Sequence, residues 1–139
     1  MTLFLYIYVY LRHEIEYKRE RDEMKEFFKS FIYALNGIVA AIHEQRNLKV
    51  QALIAIITVG AGFYFEISWL EWCLILFAIA LVIGLEIMNS AVEDLVDLVT
   101  QERKPLAGKV KDLAAGAVLF ASIMALIIGI IVFRKYLLI

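Results

Sequence analysis

The sequence predicts an all-α membrane protein, with one amphipathic helix lying on the membrane surface followed by three transmembrane helices. Three observations predict it. Hydrophobic residues make up 63% of the 139, well above the roughly half found in average domains. Three segments approach the roughly 20 apolar residues that cross a bilayer. All fourteen Lys and Arg lie at 12–49 or 103–135, so the middle of the chain carries no cation. The length suits one domain, and a net charge of −1 implies no nucleic-acid partner. The one cysteine, Cys73, excludes an intramolecular disulfide and a cysteine-rich metal site.

The first element is the least defined. "MTLFLYIYVYL" is an apolar run of about half a span, without the basic start and cleavage pattern of a signal peptide. "RHEIEYKRERDEMKE" is a balanced charge run, as on a solvated helix. Residues 1–23 are read as an N-terminal extension of unclear role, and 24–139 as the functional domain. Next, "KEFFKSFIYALNGIVAAIHEQRN" sets Phe27, Phe28, Phe31, Leu35, Ile38, Val39 and Ile42 on one helical stripe. That spacing predicts a surface helix over about 25–47.

The spans follow at about 48–65, 69–97 and 112–133. Lys49 and Gln51 interrupt the start of the first. The second opens on the interfacial aromatics Trp69 and Trp72 and includes a polar extension beyond Leu85. The third is free of charge from Leu113 to Phe133. The connection near "FEISWLEW" carries Glu66 and Glu71 without a cation, whereas "QERKPLAGKVKD" carries Arg103, Lys104, Lys109 and Lys111. Cytoplasmic loops are enriched in Lys and Arg, so the N-terminus and the 101–112 loop are expected inside. Arg134 and Lys135, at the opposite end, count against that orientation.

The polar extension is "GLEIMNSAVEDLVDLV". At 100° per residue, Glu86, Asn89, Glu93 and Asp97 share a face about 80° wide and about 16 Å long, while Asp94 points elsewhere. Ionisable groups within spans are costly, and their default reading is functional. Carboxylate and amide oxygens suit Mg²⁺, which keeps waters and shares itself with substrate phosphates. Lys109, Lys111 and Asp112 follow at the mouth of the third span, and cations beside a carboxylate–metal site suit a polyphosphate. Gly108–Lys109 is not a Walker A motif, so a nucleotide would be held by helix ends and side chains. A different reading, a small helical cation channel or transporter subunit, would need polar residues along the whole depth. Leu74–Leu85 is wholly apolar, and the third span offers only Ser122.

"GLEIMNSAVEDLVDLV" followed by "KPLAGKVKDLAAGAVLFAS" resembles the small bacterial integral-membrane diacylglycerol kinase and undecaprenol kinase family. "FFKSFIYALNGI…RN" resembles the surface helix of its undecaprenol kinase branch. The resemblance covers about 24–135 and implies a homotrimer with active sites shared between subunits at the cytoplasmic face of the bacterial inner membrane. It implies transfer of the γ-phosphoryl group of ATP, with Mg²⁺, to the hydroxyl of undecaprenol or diacylglycerol. Carried over by position, Glu86 resembles the catalytic base, and Asn89 and Ala115 line the lipid site. Glu93 resembles a metal ligand that also meets ATP, and Asp97 an ATP-side residue. Glu102, Arg103 and Lys104 match the nucleotide-contacting loop. Lys111 and Asp112 match the pair near the phosphates, and Tyr33 a tyrosine near the nucleotide. Where the family often has a second metal-binding Glu, this chain has Gln45, with Glu44 one residue earlier. Gln45 is the favoured ligand of the two.

Overall fold

The computed structural model describes residues 2–137, without the side chains at 2–11, 13, 15, 17 and 20; the side chains of the first apolar run therefore lie outside the described residues. It contains four helices: α1 (Thr2–Glu44), α2 (Arg46–Tyr64), α3 (Trp69–Val99) and α4 (Pro105–Leu137). The last three are long and apolar enough to cross a membrane, as the all-α fold class requires. The described residues up to Ala40 form one compact unit and those from Ala41 a second.

In the first unit, α1 passes the 23/24 boundary without a break. No Gly or Pro interrupts residues 2–36, and the charge run supports itself. Arg12–Glu16, Lys18–Glu14 and Arg19–Glu23 are exposed pairs one turn apart, each contributing a few tenths of a kcal/mol. The stripe of Phe27, Phe28, Phe31, Leu35, Ile38 and Val39 is exposed along its length. Phe27 and Phe31 pack edge to face at 5.3 Å between ring centres.

In the second unit, α1 ends at Glu44, and Gln45 adopts an extended backbone (φ −92°, ψ 116°) as the N-cap of α2. The helix expected to reach 47 is thus divided one residue after Glu44. Lys49 Nζ donates to the His43 carbonyl at 2.8 Å across the break, satisfying one carbonyl left open at the helix end. α2 turns into α3 through 65–68. There the Ile67 N–H donates to the Gly62 carbonyl at 3.1 Å, and Glu66 takes a positive φ of 51°, a conformation that favours glycine. Ser68 and Glu71 then form a capping box at the start of α3.

α3 packs against both α2 and α4. Near the 65–68 turn the contact is a cluster of Ile67, Ile75 and Val132, flanked by Phe65, Trp72 and Phe133. Gly62 lies under the Trp72 ring, so a Cβ there would stand 2.8 Å from Cη2. Beside this cluster Lys135 Nζ meets Glu71 Oε1 at 2.8 Å, and the Tyr136 hydroxyl donates to Glu71 Oε2 at 3.0 Å. One of the two cations that counted against the predicted orientation is therefore paired with a carboxylate of α3.

At the other end, α3 and α4 are joined by 100–104 only. Proline is pre-organised for the first turn of a helix, where its missing N–H costs nothing, and Pro105 opens α4. The basic segment expected as a loop over 101–112 is therefore divided. Glu102, Arg103 and Lys104 are in the loop, whereas Lys109, Lys111 and Asp112 lie on the first turns of α4.

Candidate active site

The polar face of α3 descends in burial along the helix. Glu86 is 3% exposed, Ser90 5% and Asn89 8%; Glu93 is half-buried and Asp97 exposed. Helical periodicity aligns these side chains, and neighbouring helices bury the first of them.

Each acidic group on the face has a partner. Gln51 Nε2, from α2, donates to Glu86 Oε2 at 3.0 Å. Asn89 Nδ2 donates to Glu93 Oε1 at 3.0 Å, one turn along. Lys111 Nζ, from α4, donates to Asp97 Oδ1 at 2.6 Å. The Ser90 hydroxyl donates to the Glu86 backbone carbonyl at 3.0 Å, so it needs nothing from the site. Among the described residues two buried acceptors lack a partner: Gln51 Oε1 and Asn89 Oδ1. Leaving such a group unpaired costs about 1–3 kcal/mol, so both are available to a ligand atom or a rearranged neighbour.

Gln51 also stands at one end of an apolar groove of about 460 Å³ between α2, α3 and α4, a volume typical of small-molecule sites. Val82, Ala125, Gly129 and Phe133 contribute to its apolar wall, and Thr58 and Ser122 are its other polar residues. The buried carboxylate thus lies where a greasy channel meets a polar helix face.

The remaining predicted residues are less closely joined. Gln45 is half-buried at the α1–α2 break and its side chain makes no capping bond; Glu44 is exposed. In the exposed 100–104 loop Lys104 pairs with Glu102 at 3.3 Å, while Arg103 has no ion-pair partner among the described residues. Asp112 and Ala115 are exposed on α4, and Tyr33 is exposed on the first unit. Gln51 is the residue that sequence reasoning missed. Its signal was visible, as a polar interruption in the first span, but nothing local tied it to Glu86.

Among the described residues no group of three His, Cys, Asp or Glu is close enough to cage a metal. The donors present are all oxygens, from Glu93 and the unpartnered Asn89 Oδ1. That set fits a Mg²⁺ held by one or two carboxylates together with waters and substrate phosphates.

Three apolar helices with a buried carboxylate next to a greasy groove, and a cation–carboxylate pair further along the same face, are the features of a membrane protein with a polar site beside an apolar one. Comparison with known proteins gives the particular family. The model of the prokaryotic diacylglycerol kinases matches residues 32–133. An undecaprenol kinase of Bacillus subtilis is 40% identical over 116 residues, covering 84% of this chain and 94% of that protein. Diacylglycerol kinases of Helicobacter pylori (31% over 114 residues, 82% and 86%) and Escherichia coli K12 (30% over 95 residues, 68% and 78%) are also similar. The chain belongs to the prokaryotic diacylglycerol kinase family, and is a lipid kinase of the bacterial membrane.

Proposed function

We propose that this chain moves the γ-phosphoryl group of ATP, with Mg²⁺, onto the primary hydroxyl of undecaprenol or diacylglycerol at the cytoplasmic membrane face. The observation that carries the reading is the position of Glu86. It is almost wholly buried, anchored by Gln51 at the groove, and aligned with Asn89, Glu93 and Asp97 on one face.

The residues divide the work along α3. The lipid tail occupies apolar surface, with Asn89 and Ala115 beside it, and its hydroxyl reaches Glu86. Glu86 accepts the hydroxyl proton as the lipid oxygen bonds to the γ-phosphorus. The bond from that phosphorus to the bridging oxygen breaks, and ADP leaves with the electron pair. Glu93, with Asn89 beside it and Gln45 as a second oxygen donor, is the metal-holding group. Mg²⁺, when bound, neutralises charge on the phosphates. Lys111 is the nearest cation to this face, and exchanging Asp97 for a phosphate oxygen replaces one charge-assisted contact with another. Asp112 and the 102–104 loop complete the nucleotide side. Phosphoryl transfer depends chiefly on such positioning and charge neutralisation.

The homotrimer with shared sites rests on the family resemblance, and leaves the exposed Glu102, Arg103 and Lys104 to reach a neighbour's nucleotide. The cytoplasmic placement of the N-terminus and the 100–104 loop is supported by the cation-free 65–68 turn. It is supported also by the Lys135–Glu71 pair, which offsets one of the two cations near that end. The exposed stripe of α1 fits a helix resting on the membrane surface. Residues 24–139 are the kinase domain, and 1–23 an extension. The test is a kinase assay with ATP and Mg²⁺ in mixed micelles, with undecaprenol and diacylglycerol side by side; phosphorylation of neither would overturn the proposal.

A further inference from the structure

We propose that Gln51 is a positioning residue for Glu86, suited to both protonation states through which that carboxyl passes. This rests on the reading of Glu86 as the base.

Gln51 is out of place for lipid contact alone. It lies five residues into α2, past the polar start made by Arg46, Asn47 and Lys49, and lines an apolar groove. Yet its side chain crosses from α2 to α3 and donates Nε2 to Glu86 Oε2 at 3.0 Å. No other side-chain hydrogen bond joins α2 to α3 among the described residues. Fixing Oε2 leaves Glu86 Oε1 as the oxygen free to meet a substrate hydroxyl.

The chemistry of an amide explains why this partner is neutral. An ionised carboxylate only accepts hydrogen bonds, so it needs the amide N–H. After taking the lipid proton at Oε1, the same group is a carboxylic acid whose O–H lies on Oε1 and whose Oε2 still accepts. The Gln51 Nε2 bond to Oε2 is therefore kept in both states. A lysine in its place would hold the charged form and oppose the arriving proton.

The test is a double-mutant cycle on the full chain, using Gln51→Leu, Glu86→Gln and both together, with Gln51→Asn as a shorter amide. Steady-state rates are read against Mg²⁺-ATP and lipid separately. Gln51→Leu should lower kcat by up to about 10²-fold, the scale of a misplaced catalytic group, with KM for Mg²⁺-ATP unchanged. Gln51→Asn keeps the amide but falls about one carbon–carbon bond short, and should lose as much. In the Glu86→Gln background, Gln51→Leu should cost little more, because residues that act through one another are not additive. A purely structural Gln51 would lower activity by a similar factor in both backgrounds, and that additivity would overturn the proposal. Wild-type kcat in Gln51→Leu, with Glu86→Gln inactive, would overturn it while leaving the base reading intact. Wild-type kcat in Glu86→Gln would remove the base reading, and the role of Gln51 with it.

Discussion

Glu86→Gln separates proton acceptance from shape. The replacement amide still presents an oxygen to Gln51 Nε2, which lies 3.0 Å from the native carboxylate. Exchanging a charge-assisted for a neutral hydrogen bond costs about 1 kcal/mol. Removing a charge from a site only 3% exposed works in the opposite direction. Unfolding free energy should therefore change by less than about 1 kcal/mol. Turnover loses its general base, a factor of about 10² or more, or at least about 2.7 kcal/mol of barrier. The kinetic loss exceeds any change in stability, so the two are separable. Initial rates with ATP, Mg²⁺ and lipid in mixed micelles measure the first, and thermal unfolding in detergent the second. Binding of Mg²⁺-ATP, measured without lipid, should stay within about twofold of wild type, since the change lies on the lipid side. Glu93→Gln should behave differently and raise the Mg²⁺ concentration needed for half-maximal activity. If both variants keep wild-type turnover at wild-type Mg²⁺, the carboxylate face is structural and the catalytic reasoning is refuted. If Glu86→Gln alone is silent, the base lies elsewhere, with Asp112 the next candidate.

Other expectations concern the scaffold. Gly62→Ala gains up to about 1 kcal/mol of helix propensity but sets a methyl 2.8 Å from the Trp72 ring, and overpacking costs about 1–3 kcal/mol. It should lower the unfolding temperature in detergent, whereas Gly60→Ala, with open space around its Cβ, should not. A chain starting at Met24 should insert, assemble and retain activity, which expression-matched assays of the truncation will decide. A cysteine at position 104, in a Cys73→Ser background because Cys73 is exposed, should resist an impermeant thiol reagent in intact cells; reaction would reverse the orientation.

Much of the site was legible because helical periodicity is local. The spacing of Glu86, Asn89, Glu93 and Asp97 suffices to place them on one face, and the structure bears this out down to the fall in burial along it. The apolar runs similarly forecast α2, α3 and α4. Three things were not legible, each for a physical reason. The helix break at Gln45 lies in "HEQRN", which has no Gly or Pro to mark it. The length of the basic loop was overestimated because Pro105 starts a helix here instead of prolonging a turn. Gln51–Glu86 and Lys135–Glu71 join residues far apart in the chain, and no pattern within one helix reports its partner on another. The Gln51 amide was visible only as an interruption.

The distance between Trp69 and Glu86 makes α3 a measure of depth. The seventeen residue steps between them correspond to about 26 Å of helix, against an apolar layer about 30 Å thick. With Trp69 at one boundary, the carboxylate stands within about one helical turn of the other, and Asp97 lies about 16 Å further on, beyond the apolar layer. Under the proposed function, a lipid alcohol anchored by its tail would hold its hydroxyl near that first level, while a nucleotide would stay in water beside the second. The two reactants can meet with neither leaving its own phase. Lengthening α3 by a turn between Trp69 and Glu86 would raise the carboxylate out of reach of a hydroxyl whose height is set by the bilayer.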